Sequence, residues 1–259
     1  MITLGRKYAW RERNRQVVVP LPATITEDMK AQADSAVTVV AFHTDDAFYS
    51  NEAHRMCASA ARLGIEVKAT IVPSQGDWVK NTSFKSAYLQ QERELVRGPM
   101  LYVDVDAVFH RSPLTYLAQL DCDVAAYFDL GDDHLVSATL FFQDTQAVKQ
   151  LLAEWNRQCQ ARPDVWDQQV LQDILKADQA KSTPQYRIHR LPVGFCWVFD
   201  REDNLLAEKQ TVYIEQLQAA RSVNEGTRTK GKLFSLRRSR VQRRIDRIQQ
   251  IEQILFPDQ

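Results

Sequence analysis

From residue 36 onward the chain switches regularly between two hydrophobic periods. The run AVTVVAFHTDD (36–46) is apolar until its polar end and reads as a core strand. NEAHRMCASAARLG (51–64) follows with helical spacing. Ala53, Met56, Cys57, Ala60 and Leu63 share one face, and Gly64 closes it. IEVKATIVP (65–73) is β-branched and alternating, so it predicts a second strand. Ser83 to Val96 predicts a helix with Phe84, Tyr88 and Leu95 roughly on one side, closed by Gly98-Pro99. Met100–Val103 is a short buried strand. This β-α-β-α-β order implies a mostly parallel sheet with right-handed crossovers.

Further along, SPLTYLAQL (112–120) starts like a capped helix. CDVAAYFDL (122–130) and LVSATLFFQD (135–144) read as strands joined by a polar turn at Gly131-Asp132-Asp133. TQAVKQLLAEWNRQCQ (145–160) and DQQVLQDIL (167–175) read as amphipathic helices, and YRIHRLPVGFCWVFD (186–200) as an aromatic strand. The division implied is an N-terminal segment (1–35), one α/β domain (36–225) and a C-terminal extension (226–259).

The 259 residues suffice for one large domain, and 44% hydrophobic with 25% charged residues excludes a disordered chain. Lys+Arg and Asp+Glu number 33 each, so no overall field selects nucleic acid. Cys57, Cys122, Cys159 and Cys196 lack any CxxC spacing and read as reduced thiols of a cytoplasmic protein. The opening MITLGRKYAWRERNRQ has no apolar signal core, and no apolar run approaches the roughly 20 residues of a membrane span.

The candidate chemistry lies in LYVDVDAVFH (101–110), where Asp104 and Asp106 end an apolar strand. Carboxylates are costly to desolvate without a partner. Either the strand reaches water there or a cation meets them. Ligands of α/β sheets bind beyond the carboxyl ends of the strands. Asp45 and Asp46, ending the first strand, could therefore share a crevice with Asp104 and Asp106. Residues i and i+2 of a strand share a face, and hard carboxylate oxygens suit Mg²⁺ or Mn²⁺.

Four stretches in this order resemble glycosyltransferases of the GT-A fold. They are VVAFHTDD, FKSAYLQQ, MLYVDVDAVFHRSPL, and LVSATLFFQDT followed by WDQQVL. The resemblance covers roughly residues 36–200 and implies transfer of a sugar from a nucleoside diphosphate, expected here to be uridine diphosphate, to a hydroxyl acceptor. It places the nucleoside near His43, Thr44 and Asp45, and Lys85 near the donor or its phosphates. It places Asp104 at the ribose and metal, Asp106 on the metal, Ser137 where the donor sugar approaches the sheet, and Asp167 and Gln168 at the reacting sugar. The acceptor is left open among glycan, lipid-linked and protein hydroxyls. Ordinary structural roles compete for each residue: loop capping for the 104/106 pair, strand-end polarity at 43–45, a solvated lysine at 85, and helix-dipole matching for Asp167. Two other functions stay open. One is a phosphohydrolase of the haloacid-dehalogenase type with Asp104 as nucleophile. The other is a transferase fold without turnover. Related enzymes often add a late histidine to the metal, and here Gln216 stands at the matching place.

The segment 228–247 carries nine basic residues against one acid, Asp246, a net +8. Val241, Ile245, Ile248, Ile251 and Leu255 recur at helical spacing within 228–255. Such a helix can lie on an anionic membrane, here the inner face. It can also bind a partner, close over the donor diphosphate, or pack on its own domain. As an added tail, it should be removable with the fold left intact.

Overall fold

The first predicted strand forms as β1 (Thr38–Thr44), and the helix after it, α1 (Ala47–Ala61), begins four residues before its expected start. Asp46 is the reason: its side chain accepts the Tyr49 N–H at 2.9 Å and caps the first turn. Gly64, at φ +70°, ends the turn after the helix. The computed structural model describes residues 19–32, 35–73, 78–129, 131–200, 211–223 and 233–258. Of the expected terminal segments, residues 1–18 and 228–232 lie outside the described residues.

The chain continues through β2 (Val67–Val72), α2 (Trp78–Leu95), β3 (Met100–Val103), β4 (Ala107–Phe109) and α3 (Leu114–Ala118). Then come β5 (Val124–Phe128), β6 (Leu135–Phe142), α4 (Gln146–Ala161) and α5 (Asp167–Gln179). One expected strand, 186–200, is broken into β7 (Ile188–Arg190), a 3-10 turn (Val193–Phe195) and β8 (Trp197–Val198). Pro192 withholds a ladder N–H there. Gly194 lies so close to the Thr211 backbone that a Cβ would meet its carbonyl oxygen at 2.0 Å. The chain closes with β9 (Ile214–Gln216), α6 (Ala220–Val223) and α7 (Leu233–Leu255).

Six strands form one sheet in the order β2-β1-β3-β6-β5-β7. β1, β2 and β3 are mutually parallel, β5 and β7 are parallel, and β6 alone runs against its neighbours. Both faces are covered, which explains why the strands read as continuous apolar runs. Val39, Ala41, Leu101 and Val103 face α1 with Met56, Ala60 and Leu63. Val40, Met100 and Tyr102 face the opposite layer with Leu89, Leu151, Trp155 and Leu171. β4, β9 and β8 make a second, three-stranded sheet. The chain crosses from the first sheet to the second between β3 and β4, and this crossing is the segment Asp104–Asp106.

Of the roles open to 228–255, the described part of the C-terminal helix shows packing on its own domain. The C-terminal part of its apolar stripe turns inward: Ile251 is fully buried with Leu21, Val108 and Leu217, and Ile248, Ile254 and Leu255 pack beside them, while Ile245 stays exposed. Two of its arginines are buried ion-pair partners. Arg247 grips Glu215 with both arms, at 2.8 and 2.7 Å, and His110 meets the same carboxylate at 2.7 Å. Arg244 pairs with Glu52 at 2.6 Å. These contacts hold the Glu215 carboxyl below its usual range despite the opposing effect of burial, which is the largest single influence on it. Among the described residues no helix is long and apolar enough to cross a membrane.

Deleting 228–259 should therefore not leave the fold intact. It strips partners from Glu52 and Glu215, and breaking a buried pair costs about 3–5 kcal/mol each. Two such losses rival the whole stability of a typical domain. The truncated chain is expected to lose its cooperative thermal transition. A wild-type melting temperature for it would contradict this packing.

Candidate active site

β1 and β3 are adjacent and parallel, so their carboxyl ends open on the same side of the sheet. A cleft of about 350 Å³ lies there. Its wall includes His43 and Thr44 from the end of β1, Lys85 from α2, Tyr102 from β3, and Asp104 and Asp106 from the crossing segment. Ser137 from β6, Asp167 and Gln168 from the start of α5, and the turn Gln218–Ala220 complete it.

Lys85 organises the centre. Its ammonium is buried, 3.0 Å from Asp104 Oδ1 and 3.6 Å from Asp167 Oδ2. It also donates to the Ser137 carbonyl at 3.2 Å and to Ser137 Oγ at 3.1 Å. Burial works against its charge, but Asp104 and Asp167 outweigh burial and hold its pKa above the ordinary lysine value. Asp167 is equally enclosed, and burial raises its carboxyl pKa in spite of Lys85. Its place as first residue of α5 aligns it with the helix dipole. Trp155 Nε1 bonds the Asp167 carbonyl at 2.8 Å and fixes the helix start.

Asp104 and Asp106 both reach the cleft, by a different route from the expected strand pleat. The chain turns at 105–106, with the Ala107 N–H bonding the Asp104 carbonyl at 3.0 Å. Asp104 is one-third exposed and accepts the Tyr102 hydroxyl at 2.7 Å. Asp106 is 8% exposed and accepts the Ala219 N–H at 2.5 Å. Burial first, then the charge of Asp104, push the Asp106 carboxyl up to about 6. Two crowded carboxylates of this kind favour a cation. Among the described residues no group of three or more histidine, cysteine, aspartate or glutamate side chains could hold one. The two carboxylates offer the hard oxygen ligands that would suit Mg²⁺ or Mn²⁺.

Of the other expected residues, His43 and Thr44 line the cleft, with the Thr44 hydroxyl tied to Asp46 at 2.5 Å. Asp45 is exposed and is not brought into the cleft. Gln168 is at the rim, its amide 2.7 Å from His134 Nε2. Gln216 is buried, donating to the Ala138 carbonyl and to Thr139 Oγ1 at 3.1 Å each, and it is absent from the wall. Gln218, two residues on, does line it, at φ +58°. Tyr49, Tyr102 and Gln218 are wall residues that sequence reasoning missed. Tyr102 was within reach, since it shares a strand face with Asp104. Tyr49 keeps its phenolic proton: burial first, then Asp106, push its pKa up to about 12. Trp166 stands at the mouth, 55% exposed.

Residues 85–243, more than half the chain, match the family model described as nucleotide-diphospho-sugar transferase. No curated protein matches the sequence. Among solved structures, a glycosyltransferase involved in glycosylation of the major capsid of PBCV-1 superposes with a TM-score of 0.55. The match has 12% identity and covers 81% of this chain and 98% of that one. The apo form of the glycosyltransferase GlyE of Streptococcus pneumoniae TIGR4 gives 0.48 at 14% identity, covering 83% of this chain and 62% of GlyE. The galactosyltransferase LgtC, solved with donor and acceptor sugar analogs, gives 0.45 at 11% identity, covering 77% and 99%. The first of these shows a shared GT-A fold.

Proposed function

The chain belongs to the nucleotide-diphospho-sugar transferase family, and we propose that it moves a sugar from a uridine diphosphate donor to a hydroxyl of a carbohydrate acceptor. The observation that carries this reading is the convergence of Lys85, Asp104, Asp106, Ser137 and Asp167 in one cleft at the carboxyl ends of β1 and β3. Family membership also selects transfer over the phosphohydrolase reading.

In this reading the polar end of β1, His43 and Thr44, holds the base and ribose. Asp104 and Asp106 would hold a divalent cation, Mn²⁺ or Mg²⁺, whose chemistry is to neutralise the departing diphosphate. Lys85 fixes the Asp104 carboxylate and brings positive charge to the same place. The bond from anomeric carbon to phosphate oxygen breaks, and its electron pair leaves on the diphosphate. The acceptor oxygen bonds to that carbon and releases its proton. Stabilising the leaving charge is the main source of acceleration. Asp167, 3.6 Å from the Lys85 ammonium, accepts a hydrogen bond from a donor-sugar hydroxyl, with Gln168 beside it. Trp166 offers an exposed aromatic face at the mouth for an acceptor ring.

A thermal-shift panel of nucleotide sugars with Mn²⁺ tests the donor. The uridine compound should stabilise most, by about 2.7 kcal/mol at 100 times its dissociation constant. Equal shifts for adenosine and guanosine counterparts, or none, would remove uridine from the proposal.

A further inference from the structure

We propose that Arg244 is a positioning residue of the active site. From the C-terminal helix, it holds the turn 217–222 in the shape that presents Gln218 and the Ala219 N–H to the cleft.

Arg244 is 2% exposed, so its guanidinium nitrogens must find protein partners. Each of the three does so, on a separate element. Nε donates to the Leu217 carbonyl at 2.9 Å, Nη1 to Ser222 Oγ at 3.3 Å in α6, and Nη2 to Glu52 Oε1 at 2.6 Å in α1. Its guanidinium also lies over the Phe48 ring at 5.5 Å.

The turn it grips needs such a hold. Gln218 has φ +58°, a left-handed conformation that costs a non-glycine residue about 1–2 kcal/mol. Strain of this kind persists only where the surroundings impose it. The Leu217 carbonyl belongs to the peptide that leads into Gln218, so fixing its direction opposes relaxation to negative φ. On the other side of that peptide, the Leu217 N–H bonds the Asp106 carbonyl at 3.2 Å. The Ala219 N–H bonds Asp106 Oδ2, and the Ser222 N–H bonds the Ala219 carbonyl at 2.9 Å. The turn is thus held between Asp106 within and Arg244 behind. A lysine cannot replace the fork, because one ammonium cannot reach three planar partners.

The inference rests on the reading of the cleft as the donor site, and the test separates the two. Amide hydrogen exchange is followed in the full-length protein for Leu217 and Ala219, with Val40 and Ala41 of β1 as internal reference. Affinity for uridine diphosphate with Mn²⁺ is measured by calorimetry on the same samples. In Arg244→Lys the Leu217 and Ala219 amides should exchange about tenfold faster while β1 is unchanged, and nucleotide affinity should fall about tenfold. The double variant Arg244→Met/Glu52→Gln removes the fork without leaving its carboxylate partner charged, and it should behave alike. Wild-type protection of both amides in both variants overturns the proposal. So does lost protection with unchanged affinity. If the wild-type protein binds no nucleotide, the donor reading falls, and the exchange rates alone decide whether Arg244 holds the turn.

Discussion

Asp106→Asn should abolish transfer and yet leave the cation-free protein at least as stable as wild type near neutral pH. Asp106 is a buried carboxyl whose pKa lies near 6, raised by burial and by Asp104 and only partly offset by the Ala219 N–H. Its native value is therefore above the 3.8 of the unfolded chain. The stability it contributes is fully present below 3.8 and is lost as pH rises through about 6. Two pKa units correspond to about 3 kcal/mol across that window. Asparagine cannot ionise, and its amide oxygen still accepts the Ala219 N–H, so the variant escapes this loss. It also lacks one carboxylate of the pair that would hold a cation, and turnover should fall at least a hundredfold, roughly the effect of removing one oxyanion donor. Urea denaturation in chelator at pH 4.5, 6 and 7.5 should show a falling trend for wild type that the variant lacks. Identical slopes, or transfer at the wild-type rate, would sink the account.

Lys85→Met should show the opposite sign. Removing the ammonium leaves Asp167, which is 6% exposed, without its cation, whereas Asp104 can turn to water. Breaking a buried pair costs about 3–5 kcal/mol. The native Lys85 pKa is raised, so its contribution is complete at any pH below 10.5 and is present throughout the neutral range. In the variant the loss depends on whether Asp167 is ionised. Its pKa, already raised by burial, must rise further without Lys85. The deficit should therefore be largest near pH 8 and shrink toward pH 4.5. Adding Asp167→Asn should recover part of it. An equal deficit at both pH values, with no recovery in the double variant, would mean that Lys85 acts through packing alone.

The strands, their order and the acids at their ends were legible because periodicity records burial. A parallel sheet covered on both sides demands apolar runs, and polar residues appear where a run meets solvent. Asp104 and Asp106 stood out for that reason, Asp167 and Gln168 through the resemblance of WDQQVL, and the structure gathers all four. Asp45 did not follow, because sequence shows two acids after β1 without showing which one the helix takes as its cap. Asp46 took that role, and the chain turned with Asp45 outside. A strand pleat predicts that Asp104 and Asp106 share a face, but the structure brings both to the cleft through a turn that replaces the strand there. Gln218 left no signal at all: a left-handed glutamine is imposed by surrounding contacts, which residue type does not record. The same blindness applied to Arg244 and Arg247. Arginines at helical spacing look like a solvated face until Glu52 and Glu215 are seen opposite them.

The pairing of β4 with β9 sets Ala107 against Gln216, far apart along the chain, and the crossing segment depends on it. Loop-closure entropy makes such a contact slow to form relative to the local β-α-β units that precede it. During synthesis the six-stranded sheet is complete once residue 190 has emerged, while β9 and α7 are still to come. A nascent chain at that stage has the scaffold of a transferase and no finished catalytic cleft. Competence for sugar transfer therefore waits on β9 and α7, after the six-stranded scaffold has already condensed.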